Sequence, residues 1–248
     1  MKKIGPVQVE PVYKAIPQAR PALYRARRAG AFVDDRLALD PTAEPWADLP
    51  VAAVSEFHPA SRPGPRPRTD VRLLHARDRL RALFDVEDHF VRCVHDEYQS
   101  MVSRDSCVEM FLQPPGGSGY FNFEFSCGGA MLLYYIEDPA RHPDRIFSKF
   151  TPVPPDLGGQ VVVASTLLPP IDPEIAGPVR WQLACEVPVR VLAPFVPGGL
   201  DRFAGPWRGN FFKCGDDTSH PHWAAWSSIG PVCRFHQPER FGTIVFED

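Results

Sequence analysis

The stretch KCGDDTSHPHWAAW (213–226) brings together a lysine, two adjacent aspartates, two histidines and two tryptophans. Several chemistries are open to such a set. His220 and His222 flank Pro221, and in extended backbone side chains two apart point the same way. Both imidazoles could then reach one transition-metal ion, with His236, Asp216 or Asp217 completing an N/O ligand set. H-P-H is not the spacing of an established metal motif. An imidazole also titrates near neutral pH, so either histidine could serve as a general acid or base. In a third reading the segment grips a flat ligand. Trp223 and Trp226 are the platforms, and Lys213 and Asp216 bond hydroxyls. Two tryptophans three residues apart share a face only if the backbone turns helically. In a fourth, the polar groups satisfy one another and the tryptophans fill the end of the fold. Cys214 has no activating partner assignable from sequence and reads as core.

The elements that must position this segment are strands. In DVRLLHA–RD–RLRALFDV (70–86), Leu80, Ala82, Phe84 and Val86 alternate with Arg79, Arg81 and Asp85, the period of a half-buried strand in a hairpin. CVEMFLQ (107–113) sets Val108, Met110 and Leu112 against Glu109, Phe111 and Gln113, and YFNFEFS (120–126) sets Phe121, Phe123 and Phe125 against Tyr120, Asn122, Glu124 and Ser126. Gly128-Gly129 supplies a tight turn before AMLLYYI. Further strands are expected at VVVAST, RWQLACEV, WRGNFFKC and GTIVF, with PVRVLAP a short helix and 95–106 a loop or helical turn.

Between them lie proline-rich stretches at 59–67, 151–155 and 168–178, read as long loops. With 29 prolines and 18 glycines, long helices are disfavoured. The pattern predicts an all-β, antiparallel β-sandwich with jelly-roll-like topology and few short helices. Residues 1–40 read as an extension packing on a domain of 41–248, with VYKAI a possible edge strand and the arginines of RARRAG (Arg25, Arg27, Arg28) in solvated linker.

If 107–113 and 120–126 are neighbours, Glu109, Tyr120, Asn122 and Glu124 share a polar face. The strand WRGNFFKC could add Arg208 and Asn210, or Lys213, to it. Carboxylate, amide and guanidinium groups beside aromatic rings are what sugar hydroxyls require, since each hydroxyl both donates and accepts. The same face could instead meet water, and two carboxylates could form a glycosidase pair.

Composition narrows the classes. The net charge of −3 excludes the electrostatic footprint of nucleic-acid binding. No run approaches the ~20 apolar residues of a membrane span. The N-terminus lacks an apolar signal core, so a cytoplasmic location is expected of a complete chain, and a secreted or periplasmic one if a signal peptide has been removed. The six cysteines show no CxxC spacing and read as buried free thiols. Four methionines and the absence of CxxCH disfavour a haem-binding sandwich.

The ordered blocks LRALFDVEDHFVRCVHDEYQSMVSRDSCVEMFLQP, GYFNFEFSCGGAMLLYY, WRGNFFKCGDDTSHPHWAAWSSI and FHQPERFGTIVFE resemble the family 9-like carbohydrate-binding proteins, relatives of the family 9 modules attached to xylanases. The resemblance spans about 45–248. It implies a β-sandwich that holds mono- or oligosaccharides between aromatic side chains, with calcium as a structural ion. It puts Glu109, the acid after D-S-x-V, in the ligand site, and it offers Phe235, Trp223 and Trp226 as aromatic contacts. The chain departs from the modules by reading MVSRDS where a tryptophan precedes the D-S motif, and Glu124 where an arginine stands on the second strand.

The leading expectation is non-catalytic saccharide binding by Glu109, Asn122, Glu124, Arg208, Asn210, Lys213, Asp216, Trp223, Trp226 and Phe235. The alternative is a saccharide-active enzyme (hydrolytic, lytic or metal-assisted) using His220, His222, Glu109 and Glu124. The sequence leaves the sugar and the oligomeric state open.

Overall fold

Alternation along 79–86 places Leu80, Ala82, Phe84 and Val86 on one side of a strand, and all four are fully buried in the main core. The same holds for Val108, Met110 and Leu112, and for Phe121, Phe123 and Phe125. These rows meet face to face: the Phe84 and Phe125 rings lie 6.5 Å apart. Burying each large apolar side chain contributes about 1.5–3 kcal/mol, which fixes the register of every strand that carries one.

A computed structural model of the chain describes residues 22–30, 32 and 36–248. Its strands are β1 (Leu23–Arg28), β2 (Ala52–Ala53), β3 (Glu56–Phe57), β4 (Arg68–His75), β5 (Arg79–Cys93), β6 (Cys107–Gln113), β7 (Tyr120–Ser126), β8 (Met131–Asp138), β9 (Lys149–Pro152), β10 (Val162–Ser165), β11 (Ile171–Pro188), β12 (Gly205–Cys214), β13 (Trp223–Ala225) and β14 (Gly242–Phe246). Among the described residues, helix is confined to α1 (Pro155–Gly158), α2 (Val189–Leu192) and short 3-10 turns. No described helix is long and apolar enough to cross a membrane.

The strands form one continuous sheet in the order β10-β11-β5-β4-β1-β14-β12-β6-β7-β8-β9. It folds over on itself into a β-sandwich, with β11, β5 and β4 in one leaf and β14, β12, β6, β7 and β8 in the other. β1 is the seam. Leu23 to Ala26 pair with β14, Arg27 and Arg28 pair with β4, and both pairings are parallel. The arginine run RARRAG is therefore central strand, not linker. Tyr24 and Ala26 point into the core, and the Tyr24 hydroxyl donates to Pro50 O at 2.7 Å and accepts from Leu73 N at 2.8 Å. The expected edge strand at VYKAI lies outside the described residues.

The 168–178 segment also differs from expectation. Most of it belongs to β11, which pairs with β5 from Ile171 to Pro188. Its register shifts between Ile171 and Ile175 and between Ala176 and Val179, at Pro173 and Pro178. β10 flanks β11 only along Leu183–Glu186, so the prolines sit where one edge of the strand is free and a missing N–H costs no ladder bond.

Candidate functional site

β6 and β7 are buried on both faces. Their outward sides carry Glu109 and Glu124 directly opposite each other, with Phe111 opposite Asn122. That face does not meet bulk water. The chain after β12 and the loop between β8 and β9 fold across it and build a second apolar cluster, in which Phe147, Phe235 and Phe241 join Phe111, Tyr120 and Phe212. Phe235 stacks on Phe212 at 4.1 Å, and Phe147 packs on the His236 ring at 4.5 Å.

Within this cover a cavity of about 210 Å³ remains. Its floor is Glu109, Glu124 and Cys214, all buried. Asp216, Trp223, Phe235 and His236 form its walls, and Ser103, Arg141, Cys233 and Arg234 complete the lining. The opening stretch of sequence contributes through Asp216 and Trp223. Asp216 is held by its backbone N–H on Ser103 O at 3.1 Å, and Trp223 by its N–H on the Ser61 hydroxyl at 3.0 Å. The indole Nε1 then donates to Asp216 Oδ1 at 2.9 Å, locking the two side chains together.

The floor is electrostatically unusual. Burial, reinforced by the charge of Glu124, pushes the Glu109 carboxyl well above the usual carboxylate range. Burial raises Glu124 to about 7, although the Asn122 amide, donating to its Oε1 at 2.7 Å, holds it down. Asp216 is raised by burial against the bond from Trp223. His236 is pushed down to about 3, by burial and then by the charges of Arg141 and Arg234. It is therefore a neutral imidazole, with its Nδ1 paired to the Tyr120 hydroxyl at 2.9 Å. The Nε atom of Arg234 is buried without a hydrogen-bond partner among the described residues.

Other expected site residues lie elsewhere. In β12, Phe212 opposes Glu109 and Lys213 opposes Val108, so Lys213 faces the sandwich interior. Its ammonium is fully buried and lies 2.9 Å from Cys214 O, 2.9 Å from His222 Nε2 and 3.1 Å from Asp88 Oδ2. An ammonium only donates, so His222 Nε2 accepts, and Nδ1–H donates to His220 O at 2.9 Å. Both ring nitrogens of His222 are thus engaged. Burial, then the Lys213 charge, lowers its pKa to about 4. The carboxyl of Asp88 is raised by burial, but the Lys213 and His222 charges more than offset this and hold it below the usual range.

His220 stacks on Phe90 at 3.7 Å, and His236 is on the cavity side. The three histidines do not converge on a metal, because the backbone of 220–223 is tied to 58–62 through Trp223 O and Pro221 O. Asn210 pins the chain at Ser227, donating to its carbonyl at 2.8 Å and accepting its N–H at 2.8 Å. Arg208 is spent on the carbonyls of Glu239 and Phe241. Asn122 orients Glu124 and caps Tyr134 N at 2.8 Å. Since β13 is extended, Trp226 lies on the opposite side from Trp223 and packs against Phe211.

Sequence reasoning missed Ser103, Arg141, Cys233 and Arg234. They come from loops and a 3-10 turn with no periodicity. Ser103 is signalled only by nearness to the D-S motif, Cys233 and Arg234 only by nearness to Phe235, and Arg141 by nothing local. Among the described residues, one group of metal-ligating side chains converges: the ligand atoms of Cys107, Glu109 and Cys214 lie within 4.8 Å of one another. Calcium takes six to eight oxygen ligands, so this set, with two sulfurs, does not fit calcium.

A sequence profile of carbohydrate-binding family 9 matches residues 60–246. No curated protein matches the chain. Among solved structures, the fold is similar to that of a candidate carbohydrate-binding protein from Bacteroides uniformis ATCC 8492 (24% identity, 92% of this chain and 100% of that one, TM-score 0.76). It is also similar to a family 9 carbohydrate-binding module from Caldicellulosiruptor kristjanssonii, solved with cellotriose (11% identity, 91% and 94% of the two chains, TM-score 0.58). A structure of a family 9 module from the same organism with glucose gives 12% identity, 91% and 96% coverage and a TM-score of 0.54. At these identities the likeness is one of fold.

Proposed function

This chain belongs to carbohydrate-binding family 9, and on that premise we propose that it binds a saccharide, without transforming it, in the cavity above Glu109 and Glu124. The observation that carries this reading is the cavity itself: two cross-strand carboxyls at its floor, walled by Trp223 and Phe235. A raised carboxyl is protonated near neutrality and can both donate and accept, and the Glu109–Glu124 pair then offers both functions to vicinal hydroxyls. The faces of Trp223 and Phe235 supply the apolar contacts for C–H surfaces of the ring. Asp216 accepts the indole N–H and so fixes the ring angle of Trp223. Asn122 does the same for Glu124.

At about 210 Å³ the cavity is smaller than the ~300–1,000 Å³ typical of drug-sized ligands. It therefore takes a single sugar ring, either a monosaccharide or the end residue of a chain. The glucose and cellotriose complexes of the Caldicellulosiruptor modules support this ligand class. The saccharide-active alternative used His220, His222, Glu109 and Glu124. The two carboxyls line the cavity, but both histidines lie off it, and His222 is committed to Lys213.

The test is calorimetric titration with a panel of mono- and oligosaccharides, followed by mass analysis of the recovered sugar. At least one saccharide should bind with one site per chain and be recovered intact. New products, or no binding by any saccharide, would overturn the proposal.

A further inference from the structure

Beneath the cavity, Cys107 and Cys214 are directly opposed across β6 and β12, and Glu109 follows Cys107 by two residues on the same face. All three are at most 2% exposed. We propose that Cys107, Glu109 and Cys214 form a binding site for a thiophilic divalent cation, Zn²⁺ in the first instance, with the fourth coordination position open to the cavity.

The geometry is close to that of a tetrahedral site. Zn–S of about 2.3 Å and Zn–O of about 2.0–2.2 Å at tetrahedral angles set sulfur and oxygen about 3.5 Å apart. Cys214 Sγ lies 3.3 Å from Glu109 Oε1, and the third ligand atom, Cys107 Sγ, is within 4.8 Å of both. Little rearrangement is needed, since all three residues sit on paired strands rather than loops. Two thiolates select zinc over calcium or magnesium.

Glu124 and Asp216 line the same cavity, as do Arg141 and Arg234, which also stand near His236, so the cavity charges are mixed and the donor set itself carries the choice of metal. Lys213, the nearest cation along the chain, points through the sheet to Asp88. Cys107 and Cys214 are both raised, Cys107 to about 12 chiefly by burial and Cys214 chiefly by its contact with Cys107. Binding therefore exchanges protons for metal. Two S–H protons and the Glu109 proton are released to solvent, and the three anionic ligands with Zn²⁺ leave one net negative charge. Glu109 and Cys214 border the cavity, whereas Cys107 does not. The open position therefore takes water, or a hydroxyl of a ligand entering from the cavity. The site does not depend on the saccharide reading, whose use of Glu109 as a hydrogen-bond donor belongs to the metal-free chain, and neither outcome of the saccharide titration decides it.

The experiment uses the full chain, metal-free and kept reduced by a phosphine, titrated with Co²⁺ as a spectroscopic probe for zinc. The expected result is a thiolate-to-cobalt charge-transfer band with tetrahedral d–d bands, saturating at one equivalent, erased by Zn²⁺ and untouched by Ca²⁺. Cys107→Ala and Cys214→Ala should each weaken binding by more than about 100-fold, beyond the range typical of losing an outer-shell partner, while Cys185→Ala should not. Because both ligand cysteines are buried and replacing either also disturbs the core, X-ray absorption of the zinc-loaded native chain provides a second readout. Two sulfur neighbours at about 2.3 Å with oxygen completing the shell would support the site. Absence of the cobalt bands, bands that persist in both cysteine variants, or a shell with no sulfur or four sulfurs would overturn it.

Discussion

Replacing Lys213 by methionine isolates the buried cluster that positions the 214–226 segment. The native ammonium is fully buried and 3.1 Å from Asp88, which is itself 3% exposed. Methionine keeps most of the apolar stem, so the volume change is small. What remains is an uncompensated carboxylate in the interior, which costs about 3–5 kcal/mol. In a chain of this size each kcal/mol lowers Tm by about 2–4 °C, so a fall of roughly 6–20 °C is expected at pH 8. Thermal and urea unfolding followed by circular dichroism read the change. Lys213→Met combined with Asp88→Asn removes the stranded charge and keeps an acceptor for His89 N–H. That double variant should recover at least half of the loss, since a whole buried pair is often replaceable where one partner is not. Acid should also help the single variant. Without Lys213 beside it, His222 protonates more easily and can compensate Asp88, so the penalty should shrink from pH 8 to pH 5.5. A penalty below about 1 kcal/mol, or a double variant no better than the single, would refute the assignment of Lys213 as the counter-ion of Asp88.

Three other perturbations follow from the same geometry. In the native chain His222 titrates at about 4 against 6.5 when unfolded. The unfolded state therefore binds the proton more tightly, and stability that is full above pH 6.5 should decline toward pH 4 by up to about 3 kcal/mol. A His222→Gln variant, compared by urea unfolding across that range, should show a flatter profile. Glu124 has the opposite sign: its folded carboxyl is raised to about 7 from 4.5. Its cost is absent below the unfolded value and complete above pH 7. Glu124→Gln should raise stability by about 1–3 kcal/mol at pH 8 and by almost nothing at pH 4, while weakening saccharide binding in calorimetry. Asn210→Ala removes the bonds to the backbone of Ser227 and to Phe211 N. It should cost about 1–3 kcal/mol in unfolding experiments and leave saccharide affinity within a factor of three of the native value in calorimetry, because Asn210 lies outside the cavity.

The strands that carry the site were legible because β6 and β7 alternate: Val108, Met110, Leu112, Phe121, Phe123 and Phe125 fall on one face, and Glu109, Asn122 and Glu124 fall on the other with Phe111 and Tyr120. β12 was not legible to the same depth. Phe211 and Phe212 are adjacent and both buried, one on each face, so a period of two gives no preference for which side Lys213 takes. β1 escaped notice because only Tyr24 and Ala26 point inward, and alanine is a weak apolar signal beside three arginines. In β11 the prolines signalled loop, and only the free edge of the strand reconciles them with pairing. The cavity walls were the least legible part. Arg141, Arg234 and His236 come from loops whose place depends on Phe147 and Phe235 packing on the second cluster, a tertiary event with no local pattern. The two histidines that most suggested chemistry turned out to serve the fold, His222 as an acceptor for a buried lysine and His220 as a stacking partner of Phe90.

The most direct measurement is a crystal structure of the chain with the saccharide that binds best in the titration panel. The expected result is one sugar ring against Trp223 and Phe235, with hydroxyls within hydrogen-bond distance of Glu109 and Glu124. Density instead in the shallow site between Asp40, Thr166 and Arg180 on the opposite leaf, with the Glu109–Glu124 cavity unchanged, would contradict the assignment of that cavity as the saccharide site.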